Sequence, residues 1–489
     1  MIAGIVSFGG YIPLLRLNRG VVFMSNAWLN PALFTVAQGE RSMCNWDEDS
    51  VTMAVEASRD CLRGFDKRGV DALYLASLSF PFQDRQNAGI VAAGLNLNKE
   101  LETADFTASM KSGAGALLAG LNAVKSGDYK SVLIAASDKR RTKSAWFQEM
   151  WFGDGAAALL LGSENVIAEY RGSHSITRDF VDHFRGPNRE YDYGWEERWI
   201  RDEGIGKIIP EACSGLLKKL GLKGSEIAHF VMPCVFGREA AAVAQGLGID
   251  KAAVADNLHA LCGETGTAHA LVMLVSVLER AKPGEKILLA AFGQGCTAVL
   301  FEATGNITKL APRTGIAGSL AERREEKNYM KYLTFNNLIV QEFGMRAEGD
   351  WKTALTAQYR KNDMLLGLVG GRCTKCGTPQ FPRTDICVNP GCRARHSQKP
   401  WEFADLPARI KTWSSDLLTF SVDPPAHYGM VEFDEGGQFM VDFTDHEVGK
   451  VEVGMPVKMV FRIKNIDTQR GFTRYFWKAK PVSPRAKEA

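Results

Sequence analysis

No apolar run in this 489-residue sequence reaches the roughly 18 residues that a membrane-crossing helix needs. The longest, such as 271–278, are of core length. An excess of one charge is missing too: 59 Lys and Arg stand against 56 Asp and Glu, a formal net charge of +3. A chain this close to neutral is not built as a dedicated nucleic-acid or membrane-surface binder, although a local patch remains compatible with it. The start, 1–12, is apolar but lacks a basic segment and a small-residue cleavage site. It is expected to form a first strand and turn and not a secretion signal. Cysteine is sparse outside one place. Six of the ten are scattered over the first 300 residues, and four crowd between Cys373 and Cys392. Without a secretion signal, the thiols are expected to be reduced, the compartment cytoplasmic and the tight cluster metal-binding.

What is present points to two or three domains, since one core does not grow to this length. In the first 300 residues short apolar runs at 71–77, 131–137, 156–161, 228–235, 286–292 and 298–302 read as strands. Helical patterns alternate with them at 50–63, 113–125, 211–220, 238–247 and 267–281. That order predicts an α/β layered fold with mostly buried strands. The stretch 131–162 and the stretch 286–303 share a strand, a glycine loop and a second strand, which suggests an internally duplicated unit. Charge thickens from 305 to 350, where 321–332 reads as a helix-bearing connection, and 351–365 reads as a further helix. After the cysteines, period-2 alternation at 438–443, 457–463 and 473–480 predicts a small β-barrel or sandwich.

The most specific short-range signal is Cys373-x2-Cys376-x10-Cys387-x4-Cys392. Four thiolates in two pairs suit tetrahedral zinc, with Zn–S near about 2.3 Å. Four protein ligands leave no open position, so the zinc would be structural. His396 lies close by and is expected at the surface. The competing reading is a loop of unmetallated cysteines.

Three segments carry a family resemblance: TASMKSGAGALLAGLNAVKSGDYKSVL (107–133), LIAASD (133–138) and FGDGAAALLLG (152–162). With GETGTAHALVMLVSVLERA (263–281) and AAFGQGC (290–296), they resemble the thiolase superfamily, nearest to hydroxymethylglutaryl-CoA synthase and the initiating ketoacyl synthases. Residues 351–489 resemble a zinc-ribbon and OB-type module found beside or fused to thiolase-type enzymes. The resemblance implies a duplicated layered αβαβα fold over 1–346, a linker helix and zinc ribbon over 347–400, and an OB-type β-barrel over 401–489. It also implies a coenzyme A thioester as substrate or ligand.

In that family a cysteine at a sharp strand-to-helix turn attacks a thioester, helped by the helix N-terminus. A histidine, with an asparagine or glutamate, handles protons and the oxyanion. By resemblance the cysteine position falls on Met110, the histidine on Val231, the glutamate on Leu78 and the asparagine on Glu264. A thioether cannot become a thiolate. A shift of one residue puts Ser109 at the turn, still not a cysteine. The groups left for acid–base work are Glu264 and His269, with Cys262 as a displaced nucleophile. The bland alternatives are a helix cap for Glu264, a capping or core hydrogen bond for His269 and a small buried residue for Cys262. For CoA the candidates are the cations Arg238 and Lys111, which could equally be solvated charges, and Gly293 and Gly295, which permit close backbone approach.

Two functions follow as expectations. The first is a subunit for acyl-CoA carbon–carbon bond chemistry, a homodimer or a hetero-oligomer with a cysteine-bearing thiolase-type subunit. The second is a stand-alone, non-covalent aldol, retro-aldol or synthase-type enzyme using Glu264 and His269. A nucleic-acid module is a third reading, resting on the basic-aromatic RGFTRYFWKAK (470–480), and a barrel wall explains that segment better.

Overall fold

The short apolar runs fold as strands of one nine-stranded sheet. The computed structural model describes residues 2–482. In chain order the strands are β1 (Gly4–Tyr11), β2 (Ala72–Ala76), β3 (Glu102–Phe106), β4 (Ser131–Lys139), β5 (Asp154–Gly162), β6 (Ala168–Thr177), β7 (His229–Val231), β8 (Lys286–Phe292) and β9 (Gly295–Ala303). Their spatial order is β7-β8-β9-β6-β1-β5-β4-β2-β3. Every residue of β5 is buried, which is why it is apolar without alternation.

The sheet repeats itself. From β1 outward the pairings are antiparallel to β5, antiparallel to β4 and parallel to β2. From β6 outward they are antiparallel to β9, antiparallel to β8 and parallel to β7. The halves join where Gly4 pairs Glu169 and Ile5 pairs Ala168. This is the duplication expected from the two similar stretches.

Four helices complete the layers: α1 (Ser50–Cys61), α2 (Ser112–Ser126), α3 (Ile209–Leu220) and α4 (His269–Leu278). α1 packs on β1, β5 and β4, and α3 on β6, β9 and β8, while α2 and α4 touch each other in the middle. All of α4 except Ser276 is buried, as an all-round apolar helix must be. α1 starts at a capping box: the Asp49 carboxylate accepts from the Thr52 N–H at 2.9 Å, and the Thr52 hydroxyl accepts from the Asp49 N–H at 2.8 Å.

Two expected helices are corrected. Residues 321–332 are not one helix. Helix Gly315–Ala321 ends, strand Arg324–Glu326 pairs in parallel with Leu15–Asn18 from residue 15 onward, and helix Tyr329–Phe335 follows. A long-range backbone ladder claims the charged stretch there, and periodicity cannot signal that. Residues 351–365 split into Leu355–Arg360 and Asn362–Leu365, with Lys361 at φ −113°, ψ 19° between them.

By packing, the chain forms two units. One comprises Met1–Cys44, Asp49–Gly89 and Leu97–Ile339; the other comprises Asn45–Glu48, Ile90–Asn96 and Val340–Ala489. The second unit holds a three-stranded ribbon sheet in the order Pro379–Gln380, Val369–Cys373, Gln398–Glu402. It also holds a five-stranded sheet in the order Gln438–Asp442, Ala426–Phe433, Ala408–Asp416, Pro456–Asp467, Phe472–Pro481. Inside that unit three cations are buried with three acids. Arg462 reaches Glu48 at 3.0 Å and Asp445 at 3.1 Å, Lys478 reaches Asp47 at 2.8 Å, and Lys480 reaches Asp445 at 3.4 Å. Lys478, Lys480 and Trp477 are therefore consumed by the interior and do not form a nucleic-acid surface. Among the described residues no helix is long and apolar enough to cross a membrane.

Candidate active site

The centre of the first unit's site is the turn from β3 into α2. Ala108 there has φ +74°, outside the range most L-residues adopt. Ser109 ties the turn down. Its hydroxyl donates to the Gly293 carbonyl at 3.1 Å and accepts from the Lys111 N–H at 3.3 Å. A Cβ on Gly293 would meet Ser109 Oγ at 2.8 Å, the Lys111 nitrogen at 2.9 Å and the Met110 nitrogen at 3.2 Å. Gly293 is thus required for close approach to the turn. Gly295, at φ +109°, would meet the Ile176 carbonyl oxygen at 2.0 Å.

Met110 follows, half-buried, and its sulfur accepts from Arg140 Nη1 at 3.2 Å. Arg140 stands just past the end of β4. The same Nη1 donates to Glu264 Oε2 at 3.1 Å, Nη2 donates to Asp192 Oδ2 at 2.7 Å, and the guanidinium lies 3.8 Å from the Phe152 ring centroid. The side chains of Arg140 and Glu264 are each 5% exposed. Burial works against the Arg140 charge, but Glu264, Asp192 and Asp138 outweigh it and its pKa is raised. Burial pushes the Glu264 carboxyl above its usual range although Arg140 opposes the shift. Asp192 is lowered: its desolvation is overcome by Arg140, His183 and Arg185. Glu264 Oε1 is buried without a hydrogen-bond partner of ordinary geometry.

Beneath the turn, Asp138 accepts from Ser77 Oγ at 2.9 Å, Ser79 Oγ at 2.8 Å and the backbone N–H groups of Leu78 at 2.7 Å and Thr267 at 2.8 Å. Thr267 Oγ1 accepts from the Gly113 N–H at 2.8 Å. One carboxylate thereby fixes the loops after β2 and before α4 against the start of α2. Leu78 contributes only its backbone, and Val231 ends β7 inside the core.

The other sequence candidates sit elsewhere. His269 Nδ1 accepts from the Thr265 N–H at 3.2 Å, and its Nε2 meets the Asn257 carbonyl at 2.9 Å. That fixes the Nε2–H tautomer, and burial lowers the ring's pKa to about 4. Nδ1 also accepts from the Thr265 hydroxyl at 3.2 Å, and the His259 ring lies 5.2 Å away by centroids. Cys262 is fully buried, and burial pushes its thiol up to about 12. Its Sγ lies 3.5 Å from the Leu258 carbonyl oxygen. A thiol held protonated is a poor nucleophile. Lys111 is half-buried with Nζ 3.5 Å from the Gln294 carbonyl, and burial lowers its pKa. Arg238 is exposed just before helix Glu239–Gly246. Sequence reasoning missed Arg140, Asp192 and Asp138. For Asp138 and Arg140 the signal was present in SDKRR, charge placed at the end of a buried strand, whereas nothing in the sequence marks Asp192.

The second unit brings Cys373, Cys376, Cys387 and Cys392 together. Their sulfurs all lie within 4.8 Å of one another, with Cys373 to Cys392 at 3.9 Å and Cys376 to Cys387 at 3.5 Å. A hydrogen bond to Ser397, helped by backbone groups, lowers the Cys373 thiol to about 6.

Comparisons with known proteins agree in both units. Residues 217–302 match the C-terminal domain of 3-oxoacyl-[acyl-carrier-protein] synthase III. Residues 367–396 match the ChsH2 rubredoxin-like zinc ribbon domain and 402–462 the ChsH2 C-terminal OB-fold domain. The chain is 31% identical over 342 residues to the hydroxymethylglutaryl-CoA synthase of Caldivirga maquilingensis, covering 68% of this chain and 96% of that one. It is 28% identical over 347 residues to that of Methanocaldococcus jannaschii, covering 69% and 99%. Among solved structures, an HMG-CoA synthase complexed with CoA superposes with TM-score 0.63 at 19% identity, covering 72% and 95%. The 3-oxoacyl-[acyl-carrier-protein] synthase III of Aquifex aeolicus superposes with TM-score 0.53 at 22% identity, covering 61% and 99%.

Proposed function

The chain belongs to the hydroxymethylglutaryl-CoA synthase branch of the thiolase superfamily, and from that premise we propose that it is an acyl-CoA-binding subunit without a covalent nucleophile of its own. One observation carries the reading: at the turn where the family resemblance places the attacking cysteine stands Met110, its sulfur bonded to Arg140. A thioether has no proton to lose and forms no acyl-enzyme. The carbon–carbon bond chemistry then belongs to a second, cysteine-bearing thiolase-type subunit in an oligomer. The family premise and the helix N-terminus at the turn support a CoA thioester as ligand. Lys111, Gly293 and Gly295 are the contacts proposed beside the turn, and Arg238 the outer cation.

The four cysteines are proposed to hold structural zinc. Their distances and paired spacing support it, and four protein ligands leave no site for substrate. The division into a thiolase-like domain over 1–346, a linker and ribbon over 347–400 and a barrel over 401–489 is part of the same proposal.

One observation favours a second reading. Glu264 is buried beside the turn with its carboxyl pushed up, a state suited to proton transfer in a non-covalent aldol or retro-aldol step. His269 is its weaker partner, because both ring nitrogens are engaged. The test isolates the tagged chain from its native host and assays acyl transfer from acyl-CoA. The expected result is activity in a complex that survives Glu264→Ala, His269→Ala and Cys262→Ala. Full activity of the isolated chain, lost on Glu264→Gln, overturns the subunit reading in favour of the second.

A further inference from the structure

The buried cluster at the turn contains one anion that is carried by a separable element. Glu264 is fixed at both ends of its own backbone: its N–H donates to the Trp151 carbonyl at 2.8 Å, and its carbonyl accepts from the Gly153 N–H at 2.8 Å. Asp192 comes instead from a small hairpin whose strands, His183–Phe184 and Tyr193–Gly194, are two residues each. A hairpin that short is marginal by itself. It exposes Phe184, Tyr193 and Trp195 by more than half. Its other polar anchors include the Arg185 guanidinium on the Leu78 carbonyl, a 3.4 Å hydrogen bond from Gln294 to Asp182 and a half-exposed Arg141–Glu190 pair at 2.5 Å. Exposed pairs of that kind contribute little. The strong hold is the 2.7 Å bond from Arg140 to Asp192.

Moving the hairpin away uncovers Arg140 Nη2, whose neighbouring Nη1 stays on Glu264 Oε2 and the Met110 sulfur. A fork of N–H donors is the geometry that a carboxylate matches. A carboxylate entering there replaces Asp192 charge for charge, so the buried guanidinium is not left uncompensated. An uncharged acyl group offers no such exchange.

We propose that Arg140 is a receptor for a carboxylate on the acyl group of a CoA thioester, and that Asp192 of the hairpin occupies its place when the site is shut. The inference rests on the acyl-CoA reading above and names the ligand class for that same site.

Calorimetry on the full chain tests it with CoA, malonyl-CoA, isovaleryl-CoA and free malonate. Malonyl and isovaleryl are nearly isosteric and differ in charge. One charge-assisted hydrogen bond corresponds to roughly tenfold or more in affinity. Malonyl-CoA is therefore expected to bind at least about tenfold tighter than isovaleryl-CoA to Asp192→Asn, with a smaller gap in the parent chain. Arg140→Met should erase the gap. Circular dichroism checks that this variant folds, and Asp192→Asn carries the test if it does not. Equal affinities for malonyl-CoA and isovaleryl-CoA in the parent and in Asp192→Asn, with CoA itself bound, overturn this inference alone. Free malonate binding as tightly as malonyl-CoA overturns the assignment to an acyl group. No binding of any CoA species overturns the acyl-CoA reading and this inference with it.

Discussion

At Arg140 a single guanidinium holds two carboxylates from positions 52 and 124 residues away. Removing it leaves Glu264 buried without its ion-pair partner and Asp192 with only the more distant Arg185, 3.8 Å away. Arg140→Ala is therefore expected to lower stability by about 3–5 kcal/mol, and adding Glu264→Gln should recover part of the loss. Urea unfolding of the two variants checks this, and parent-like stability of Arg140→Ala contradicts it. His269 yields a prediction with a defined pH window. Its folded pKa, about 4, lies below the 6.5 of a free imidazole because the ring is buried. Protons therefore bind the unfolded chain first as the pH falls. The stabilisation is complete above pH 6.5, declines between 6.5 and 4 and levels off below, a total of roughly 3 kcal/mol. His259 is also lowered by burial and adds in the same direction. Unfolding at pH 7 and pH 5 should show a smaller loss in His269→Gln than in the parent chain.

Elements explain which parts of the fold were legible in the sequence. β4, β5, β8 and β9 are buried on both faces, and their unbroken apolar runs announced them. β3 is an edge strand with the sequence ETADF, and β6 mixes buried and exposed positions, so neither shows a clear period. The hairpin that delivers Asp192 is too short to have one. The same limit applies to the site. The cysteines of the ribbon are close in sequence, whereas Arg140, Asp192 and Glu264 meet only through tertiary packing. The glycine loop between β8 and β9 was legible, and its contact with the turn tests its role. Gly293→Ala must push the Ser109–Lys111 backbone aside and is expected to cost about 1–3 kcal/mol in stability. It should weaken CoA binding as well. Calorimetry showing parent-like affinity contradicts that. In the second unit, Arg462→Ala removes the cation that Glu48 and Asp445 face at 3.0 and 3.1 Å, leaving Lys478 and Lys480 to balance three buried acids, and should cost about 3–5 kcal/mol, read as a lowered melting temperature.

At the scale of the whole molecule, a thiolase-type fold and a zinc-ribbon/OB module share one chain. Metal analysis is expected to find one zinc per chain. A strong chelator should remove it and lower the melting temperature, because metal binding and ribbon folding are coupled. Cys373→Ser should do the same without chelator. A metal-free chain with parent-like melting contradicts the zinc assignment. The central claim is that the turn before α2 binds acyl-CoA without forming a covalent bond. Intact-protein mass spectrometry after incubation with a panel of acyl-CoAs, alongside calorimetry on the same samples, tests it most directly. Binding with an unchanged mass is the predicted result. A mass increase equal to the acyl group, mapped by peptide analysis to a residue of this chain, contradicts it.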